Sequence, residues 1–319
     1  MPAPMEPVPP RKPGDTTPLH TVRSYAMATR PMFLSASLLA VITGTSLGWN
    51  AAGRLDVTAA LLALLIIALL HAAANVLNDV YDELNGADRF NTQRIYPYTG
   101  GSRFIQNGVL SLVQMRNWGL LLLSLATLLG LGLGAYRGTA VLGLGMTGIV
   151  LGVLYSAPPV QLAARGLGEL AVAAGFGLLP VCGAAWLQTG RFELPALLLS
   201  VPVSCWVASI LLINEVPDAG SDAAAGKRTL VVRLGTRRAS YLYMTLGLIA
   251  FACVGLAVMT GDLPPLTLLL PGMLLPIGLL NGWRIRTSEH EVASLKSSIE
   301  RTLAIHAVGC LWLACCPWF

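Results

Sequence analysis

The fold of this chain is decided by residues 57–88, VTAALLALLIIALLHAAANVLNDVYDELNGAD, in which a long apolar run passes directly into acids and amides. The apolar part, residues 57–78, matches the roughly 20 residues that an α-helix needs to cross the hydrocarbon core of a bilayer. Because backbone polar groups find no water there, such a run predicts a transmembrane helix. The polar residues that follow predict that one end of this helix carries a functional site.

Similar apolar runs recur along almost the whole sequence. The chain is 55% apolar and only 12% charged, about half the charged fraction of a typical soluble domain. No alternating strand pattern of the outer-membrane-barrel type is present. We therefore predict an all-α integral membrane protein with nine transmembrane helices in a bundle. The predicted spans are residues 32–49, 57–78, 117–135, 138–156, 169–187, 195–215, 239–259, 264–283 and 301–318.

The basic residues predict which side of the membrane each loop occupies. If the amino terminus is cytoplasmic, all but three of the 21 Lys and Arg residues lie on the cytoplasmic side, the exceptions being Arg54, Arg137 and Arg191. This asymmetry is typical of membrane topology rather than nucleic-acid binding, so we expect a lipid bilayer and no nucleic acid as partner. We predict a multi-pass protein of a bacterial or archaeal cytoplasmic membrane. Its long connections, residues 79–116 and 216–238, are predicted to be two cytoplasmic cap loops.

The first residues differ in composition from the rest of the chain. Residues 1–22 are rich in Pro and Thr and contain no apolar core. Such a segment predicts a disordered cytoplasmic tail and not a cleavable signal peptide. The remainder, residues 23–319, is predicted to be the membrane domain.

The first polar cluster lies at the end of the second predicted helix. Its members fall at i, i+3, i+4 and i+7 and share one helical face, namely Asn75, Asn78, Asp79 and Asp82. Gly86 predicts the helix stop and places Asp88 in the loop beyond. A carboxyl-terminal helix end disfavours negative charge, so accumulated acids there indicate a shared hard cation with oxygen ligands. The alternative is an ordinary solvated helix end.

The second polar cluster lies at the end of the sixth predicted helix, in residues 214–235, NEVPDAGSDAAAGKRTLVVRLG. Asn214, Asp218 and Asp222 are spaced four apart and would share one helical face. Lys227 and Arg228 follow. Acids that hold metal ions beside fixed cations suit a diphosphate group, since the cations neutralise its remaining oxygens. Both clusters follow even-numbered helices, which places them on the same predicted side.

The pair of clusters resembles the UbiA-type membrane prenyltransferases. The matching motifs are Asn78-Asp79-x-x-Asp82 with Asp88, and Asp218-x-x-x-Asp222 with Gly226-Lys227-Arg228-Thr229. The five residues between Asp82 and Asp88 and the segment 100–108 resemble the menaquinone branch, the 1,4-dihydroxy-2-naphthoate polyprenyltransferases. That branch commonly reads Asn-Asn-x-Arg-Asp in the second motif, whereas Pro217 precedes Asp218 here. The missing Arg leaves the identity of the aromatic acceptor open.

The resemblance implies a function and assigns roles to residues. It implies Mg²⁺-dependent transfer of a polyprenyl chain from polyprenyl diphosphate to an aromatic acceptor, with 1,4-dihydroxy-2-naphthoate favoured. It implies metal binding by Asp79, Asp82, Asp88, Asp218 and Asp222, the last four of them catalytic. It implies substrate binding by Asn75, Asn78, Arg103, Asn214, Lys227 and Arg228. An aromatic face stabilises a carbocation, and Tyr155, with Tyr81 as the second choice, is predicted to do so.

Three other interpretations remain open. A cation transporter also carries acids within the membrane, although these acids lie at helix ends and are followed by Lys-Arg. A terpene cyclase on the same scaffold would ionise the same diphosphate. The third interpretation is a phosphotransferase of another family that uses metal-bound carboxylates. Such enzymes carry a single longer acidic motif, which this sequence lacks.

Glycine is concentrated in two apolar stretches, residues 130–134 and 143–145. Small residues allow the backbones of neighbouring membrane helices to approach closely. We therefore interpret these glycines as tight packing positions rather than as the wall of a groove for the prenyl tail.

Overall fold

The computed structural model describes residues 18–87, 91, 94–287 and 291–319, and every regular element in these ranges is helical. In chain order the α-helices are α1 Pro18–Ala28, α2 Leu34–Ala52, α3 Val57–Asn85, α4 Leu112–Arg137, α5 Ala140–Ser156, α6 Gly168–Ala173, α7 Leu179–Thr189, α8 Leu194–Ala224, α9 Leu230–Leu234, α10 Thr236–Met259, α11 Leu269–Thr287 and α12 Val292–Cys315. A π-helical turn joins α6 to α7, and together they form one span, Gly168–Thr189.

The predicted all-helical membrane architecture is confirmed. Eight helical segments of the described chain are long and apolar enough to cross a membrane, and α5 is a shorter apolar helix of 17 residues at the fourth predicted position. The count of nine spans and the sidedness of the cap loops stay predictions. Helix α1 begins at Pro18, inside the segment predicted to be a tail.

The long helices form a closed ring. Each one packs against the next along the chain, and α12 returns to pack against α2. Helix α8 also packs against α2 and α12, so it is the most buried span. Its apolar side chains Leu199, Val203 and Trp206 contribute to the largest core cluster. The acids near its carboxyl end are therefore held inside the bundle.

The polar ends of α3 and α8 are helical. Helix α3 continues seven residues beyond its apolar part and ends at Asn85. Gly86 caps it with a left-handed φ of 84°, and its N–H donates to the Glu83 carbonyl. Helix α8 continues through Pro217 to Ala224. Both extensions carry their acids on rigid helices, which positions the side chains better than loops would.

Candidate functional site

A cavity of about 440 Å³ lies between α3, α4, α5, the α6–α7 span and α8. Its polar end is lined by residues from both sequence clusters, namely Asn75, Asn78, Asp82, Asn214, Asp218, Asp222 and Lys227. Most of the remaining wall is apolar, although it also contains polar residues such as Arg30, His71 and Thr127. The structure therefore brings together two motifs that are more than 100 residues apart in the chain, as their shared side of the membrane predicted.

Lys227 joins the two clusters. Its Nζ lies 2.9 Å from Asp82 Oδ1 and 3.3 Å from Asp222 Oδ1. Burial lowers the pKa of Lys227, but the charges of Asp82 and Asp222 outweigh this effect and raise the pKa above its usual value. The ammonium group thus stays charged at neutral pH and offsets the repulsion between the two acids.

Asp218 is held by the connection between α3 and α4. Its Oδ1 accepts a hydrogen bond from Asn91 Nδ2 at 2.8 Å, and its Oδ2 accepts one from the Gly100 N–H at 3.0 Å. Arg103 donates to the Asn91 carbonyl at 2.8 Å and does not line the cavity. Sequence reasoning missed Asn91 and Gly100 as site residues, although Gly100 begins the 100–108 segment that carried the resemblance.

Two further residues of the predicted set, Asp79 and Arg228, do not line the cavity. Asp79 is only 2% exposed, and its Oδ2 accepts a hydrogen bond from the Ser102 N–H at 2.9 Å. It therefore fastens the same connection that holds Asp218. Arg228 has an exposed side chain outside the lining. Asp88 lies outside the described residues.

Asn75 and Asn78, the two asparagines of α3 that line the cavity, are anchored by their side-chain nitrogens. Asn75 Nδ2 donates to the Thr29 carbonyl at 2.9 Å, and Asn78 Nδ2 donates to Ser156 Oγ at 3.1 Å. Tyr155, next to Ser156 at the end of α5, also lines the cavity, whereas Tyr81 does not. Between the two tyrosines, Tyr155 is thus the one placed to face a ligand.

The side-chain oxygens at the polar end are suitable ligands for a Mg²⁺ ion that binds together with a diphosphate. Within the described ranges no three His, Cys, Asp or Glu side chains are close enough to hold a metal by themselves. Mg²⁺ commonly uses one or two carboxylates and completes its shell with water and substrate phosphates. The Oδ1 atoms of Asn91 and Asn214 are buried without a hydrogen-bond partner, so they remain available as further metal ligands.

Arg30 is a lining residue that sequence reasoning counted only as a topological charge. It precedes α2 with a left-handed φ of 54° and donates from Nη2 to the Tyr98 carbonyl at 3.0 Å. Its Nε is buried without a partner. Arg30 and Lys227 are the cations of the described cavity lining.

The interpretation of the glycine runs as tight packing positions is wrong for most of these residues. A Cβ atom would meet nothing within 4 Å at Gly130, Gly132, Gly143 and Gly145, whereas at Gly134 it would collide with Leu142. Several glycines with such open space line the apolar part of the cavity, namely Gly130, Gly145, Gly148, Gly152 and Gly175. Their missing side chains widen the cavity between α4, α5 and the α6–α7 span.

Relatives of known activity match most of the chain. It is 33% identical over 233 residues to a 1,4-dihydroxy-2-naphthoate octaprenyltransferase of Haemophilus influenzae, covering 70% of this chain and 73% of the relative. It is 32% identical over 243 residues to the Escherichia coli protein of the same name, covering 73% of this chain and 76% of that protein.

The architecture also matches solved structures. A UbiA homolog from Archaeoglobus fulgidus bound to DMAPP and Mg²⁺ superposes with a TM-score of 0.64 at 19% identity, covering 90% of this chain and 99% of that one.

The UbiA prenyltransferase family profile matches residues 37–304, nearly all of the membrane domain. This range contains both acidic clusters and most of the residues that line the cavity. The enzymatic interpretation is confirmed over the transporter alternative: the chain belongs to the UbiA prenyltransferase family.

Proposed function

We propose that this protein transfers a polyprenyl chain from polyprenyl diphosphate to an aromatic acceptor, with 1,4-dihydroxy-2-naphthoate as the acceptor, in menaquinone biosynthesis. One observation carries the proposal: a single cavity joins an acid–lysine end to an apolar, glycine-widened remainder. A diphosphate attached to a long apolar chain has the same two-part character. The naphthoate acceptor is supported by the names of the H. influenzae and E. coli relatives.

The polar end would bind the diphosphate. Asp82, Asp218 and Asp222 would hold Mg²⁺, with Asp88 as a further ligand on the strength of the motif, and Mg²⁺ would supply Lewis-acid neutralisation of the leaving group. Lys227 adds a fixed charge at the same place. Asn91 and the Gly100 N–H orient Asp218 from behind, as hydrogen-bonded partners of ligating carboxylates generally do.

The rest of the cavity would protect the allylic cation and hold the tail. The ring of Tyr155 lies in the lining near the acids and offers an aromatic face to positive charge. Apolar walls exclude water that would otherwise capture the cation. The tail would lie along the glycines of α5.

The acceptor carboxylate needs a cation, and Pro217 stands where the branch usually has Arg. Arg30 lines the same cavity with an unpartnered Nε. A guanidinium can bind a carboxylate through two parallel hydrogen bonds. We assign this role to Arg30. We further propose that the polar end faces the cytoplasm, with the amino terminus on the same side.

The test is prenyl transfer by the purified full-length protein in lipid nanodiscs. Labelled polyprenyl diphosphate and Mg²⁺ are supplied with equal amounts of 1,4-dihydroxy-2-naphthoate and 4-hydroxybenzoate. We expect a labelled naphthoate product and pyrophosphate. Preferential labelling of the hydroxybenzoate would contradict the acceptor but not the transfer. Pyrophosphate release without any acceptor would indicate a cyclase instead.

A further inference from the structure

His71 is a buried histidine of α3 that lines the cavity on the apolar side of the acids. It lies one turn before Asn75 and about three turns before Asp82, on the same face of the helix. It is 6% exposed, and none of the ion pairs in the described ranges involves it. An imidazolium would lose its hydration here without compensation, so the ring is neutral, with one N–H donor and one acceptor nitrogen.

Ser37 of α2 determines which ring nitrogen carries the proton. Its Oγ lies 2.9 Å from His71 Nδ1 and donates its own proton to the Leu34 carbonyl at 3.1 Å. Because a hydroxyl group has a single proton, Nδ1–H is the donor to Ser37 and Nε2 is the acceptor nitrogen. Ser37 is fully buried outside the cavity lining, so Nδ1 points away from the cavity and the ring edge with Nε2 faces it. Nε2 has no hydrogen-bond partner among the described residues.

An aromatic ring holds the imidazole in this orientation. Phe176 belongs to the π-helical turn between α6 and α7, and such turns are frequent at functional sites. Its ring centroid lies 4.3 Å from that of His71, with the two planes inclined at 31°. Phe176 also lines the cavity. The imidazole is therefore fixed at one edge by the serine and on one face by the phenylalanine, which leaves Nε2 for a ligand.

The surroundings of this nitrogen are suited to an aromatic acid. The Thr29 carbonyl accepts a hydrogen bond from Asn75 Nδ2 at 2.9 Å, and the serine–histidine bond makes a second link between the same two parts of the chain. The residues between these two links therefore run alongside one turn of α3. They include Arg30 and Phe33, which both line the cavity, and the guanidinium lies 4.8 Å from the Phe33 ring centroid. A cation, an aromatic ring and a free acceptor nitrogen thus line one region of the cavity.

We infer that His71 Nε2 accepts a hydrogen bond from a ring hydroxyl group of the phenolic acceptor and thereby contributes to the choice of acceptor. The inference rests on the proposed prenyl transfer, with Arg30 as the partner of the acceptor carboxylate. An acceptor held at its carboxylate and at one hydroxyl group is fixed at two points, which orients its ring in the cavity. An acid without that hydroxyl group leaves a buried nitrogen unpaired and binds more weakly.

The experiment measures binding, so that the intrinsic reactivity of each acceptor does not enter. Full-length wild type and variants in nanodiscs are loaded with Mg²⁺ and geranyl thiodiphosphate, in which sulfur replaces the bridging oxygen and slows ionisation. Labelled 1,4-dihydroxy-2-naphthoate is then displaced by the unlabelled acid or by analogues that lack one or the other hydroxyl group. We expect the wild type to bind one of these analogues about tenfold more weakly than the parent acid, because a single hydrogen bond is lost.

Two substitutions of His71 separate hydrogen bonding from packing. His71→Phe keeps a ring beside Phe176 but has no acceptor atom, so the tenfold difference between the parent acid and that analogue should disappear. His71→Gln has an amide oxygen that can accept the same bond, so it should retain part of the difference. The affinity for the thiodiphosphate should stay unchanged in both variants, since the polar end of the cavity is intact.

Ser37→Ala tests the serine as a positioning residue, because it removes the partner of Nδ1 without altering the cavity lining. It should reduce the tenfold difference without abolishing it. The matched control is Ser35→Ala on the same helix. Ser35 Oγ donates to the Met32 carbonyl at 3.1 Å, but this side chain is exposed and lies outside the lining. Every acceptor should bind to this variant as to the wild type.

Two results for His71→Phe would overturn the inference. Equal weakening of the parent acid and both analogues would indicate that His71 has only a structural role, and an unchanged tenfold difference would assign the hydroxyl group to another residue. If the variants misfold, the wild type decides, since equal affinity for the parent acid and both analogues would leave no hydroxyl contact to explain. Absence of any transfer from an ordinary prenyl diphosphate to the parent acid would instead count against the proposed function.

Discussion

Lys227 Nζ lies 2.9 Å from Asp82 Oδ1, although the two residues are 145 positions apart in the chain. This ion pair connects the end of α3 to the segment after α8. Lys227 Nζ also lies 3.3 Å from Asp222 Oδ1. In the absence of a diphosphate, the lysine neutralises the acids that would otherwise repel one another. In the proposed reaction, the same charge would turn to the phosphate oxygens of the diphosphate.

Replacing Lys227 by Ala should weaken diphosphate binding more than acceptor binding, because the charge is directed at phosphate. Loss of one charge-assisted hydrogen bond predicts a KM for the prenyl diphosphate raised by about 10–100-fold. The matched control is Arg228→Ala, since its exposed side chain lies outside the cavity lining. An unchanged diphosphate KM with a raised acceptor KM would reassign Lys227.

Replacing Asp82 or Asp218 by Ala should abolish turnover while the protein stays folded. Removing a metal ligand should lower kcat by about 10²-fold or more, since Lewis-acid stabilisation is worth several kcal/mol. Chelator should inactivate the wild type, and Mg²⁺ should restore it. Asp262→Asn, in an exposed turn after α10, is the control expected to keep full activity. Chelator-resistant prenyl transfer would rule out the metal–diphosphate mechanism.

Replacing Gly148 by Leu should shift the preference toward shorter prenyl diphosphates, because the new side chain would occupy the apolar cavity. An overfilled site costs about 1–3 kcal/mol, enough to change the ratio of kcat/KM values for long and short donors tenfold. Gly143→Leu is the matched control on the same helix, since Gly143 has equally open surroundings but does not line the cavity. If both variants had the same preference among prenyl diphosphates, the cavity beside Gly148 would not be the site of the prenyl tail.

Replacing Gly100 by Ala should reduce kcat by displacing the N–H that holds Asp218. Gly100 has a φ of 71°, and a Cβ there would lie 2.8 Å from Arg94 Cβ and 2.9 Å from Asn91 Nδ2. Gly108→Ala isolates the backbone effect, because Gly108 has a φ of 66° and open surroundings. Left-handed strain alone costs roughly 1–2 kcal/mol in both variants. Thermal unfolding should therefore shift in both, whereas activity should fall substantially only for Gly100→Ala.

The sequence by itself determined the helices and the two acidic ends. Apolar runs near membrane thickness identified the positions of the spans, because backbone hydrogen bonding within a bilayer leaves helices as the solution. The spacing of Asn78, Asp79 and Asp82 was local information that a helix converts directly into a shared face. Charge asymmetry then predicted that both clusters lie on one side.

Only the tertiary structure decided which member of each cluster faces the cavity. The face shared by Asp79 and Asp82 is wide enough that one binds the Ser102 N–H while the other reaches Lys227. The open surroundings of the α5 glycines likewise depend on how neighbouring helices are rotated and spaced. Hydropathy and local spacing specify a helix and its face. The partner of each side chain is specified by packing between segments distant in sequence, which no local pattern encodes.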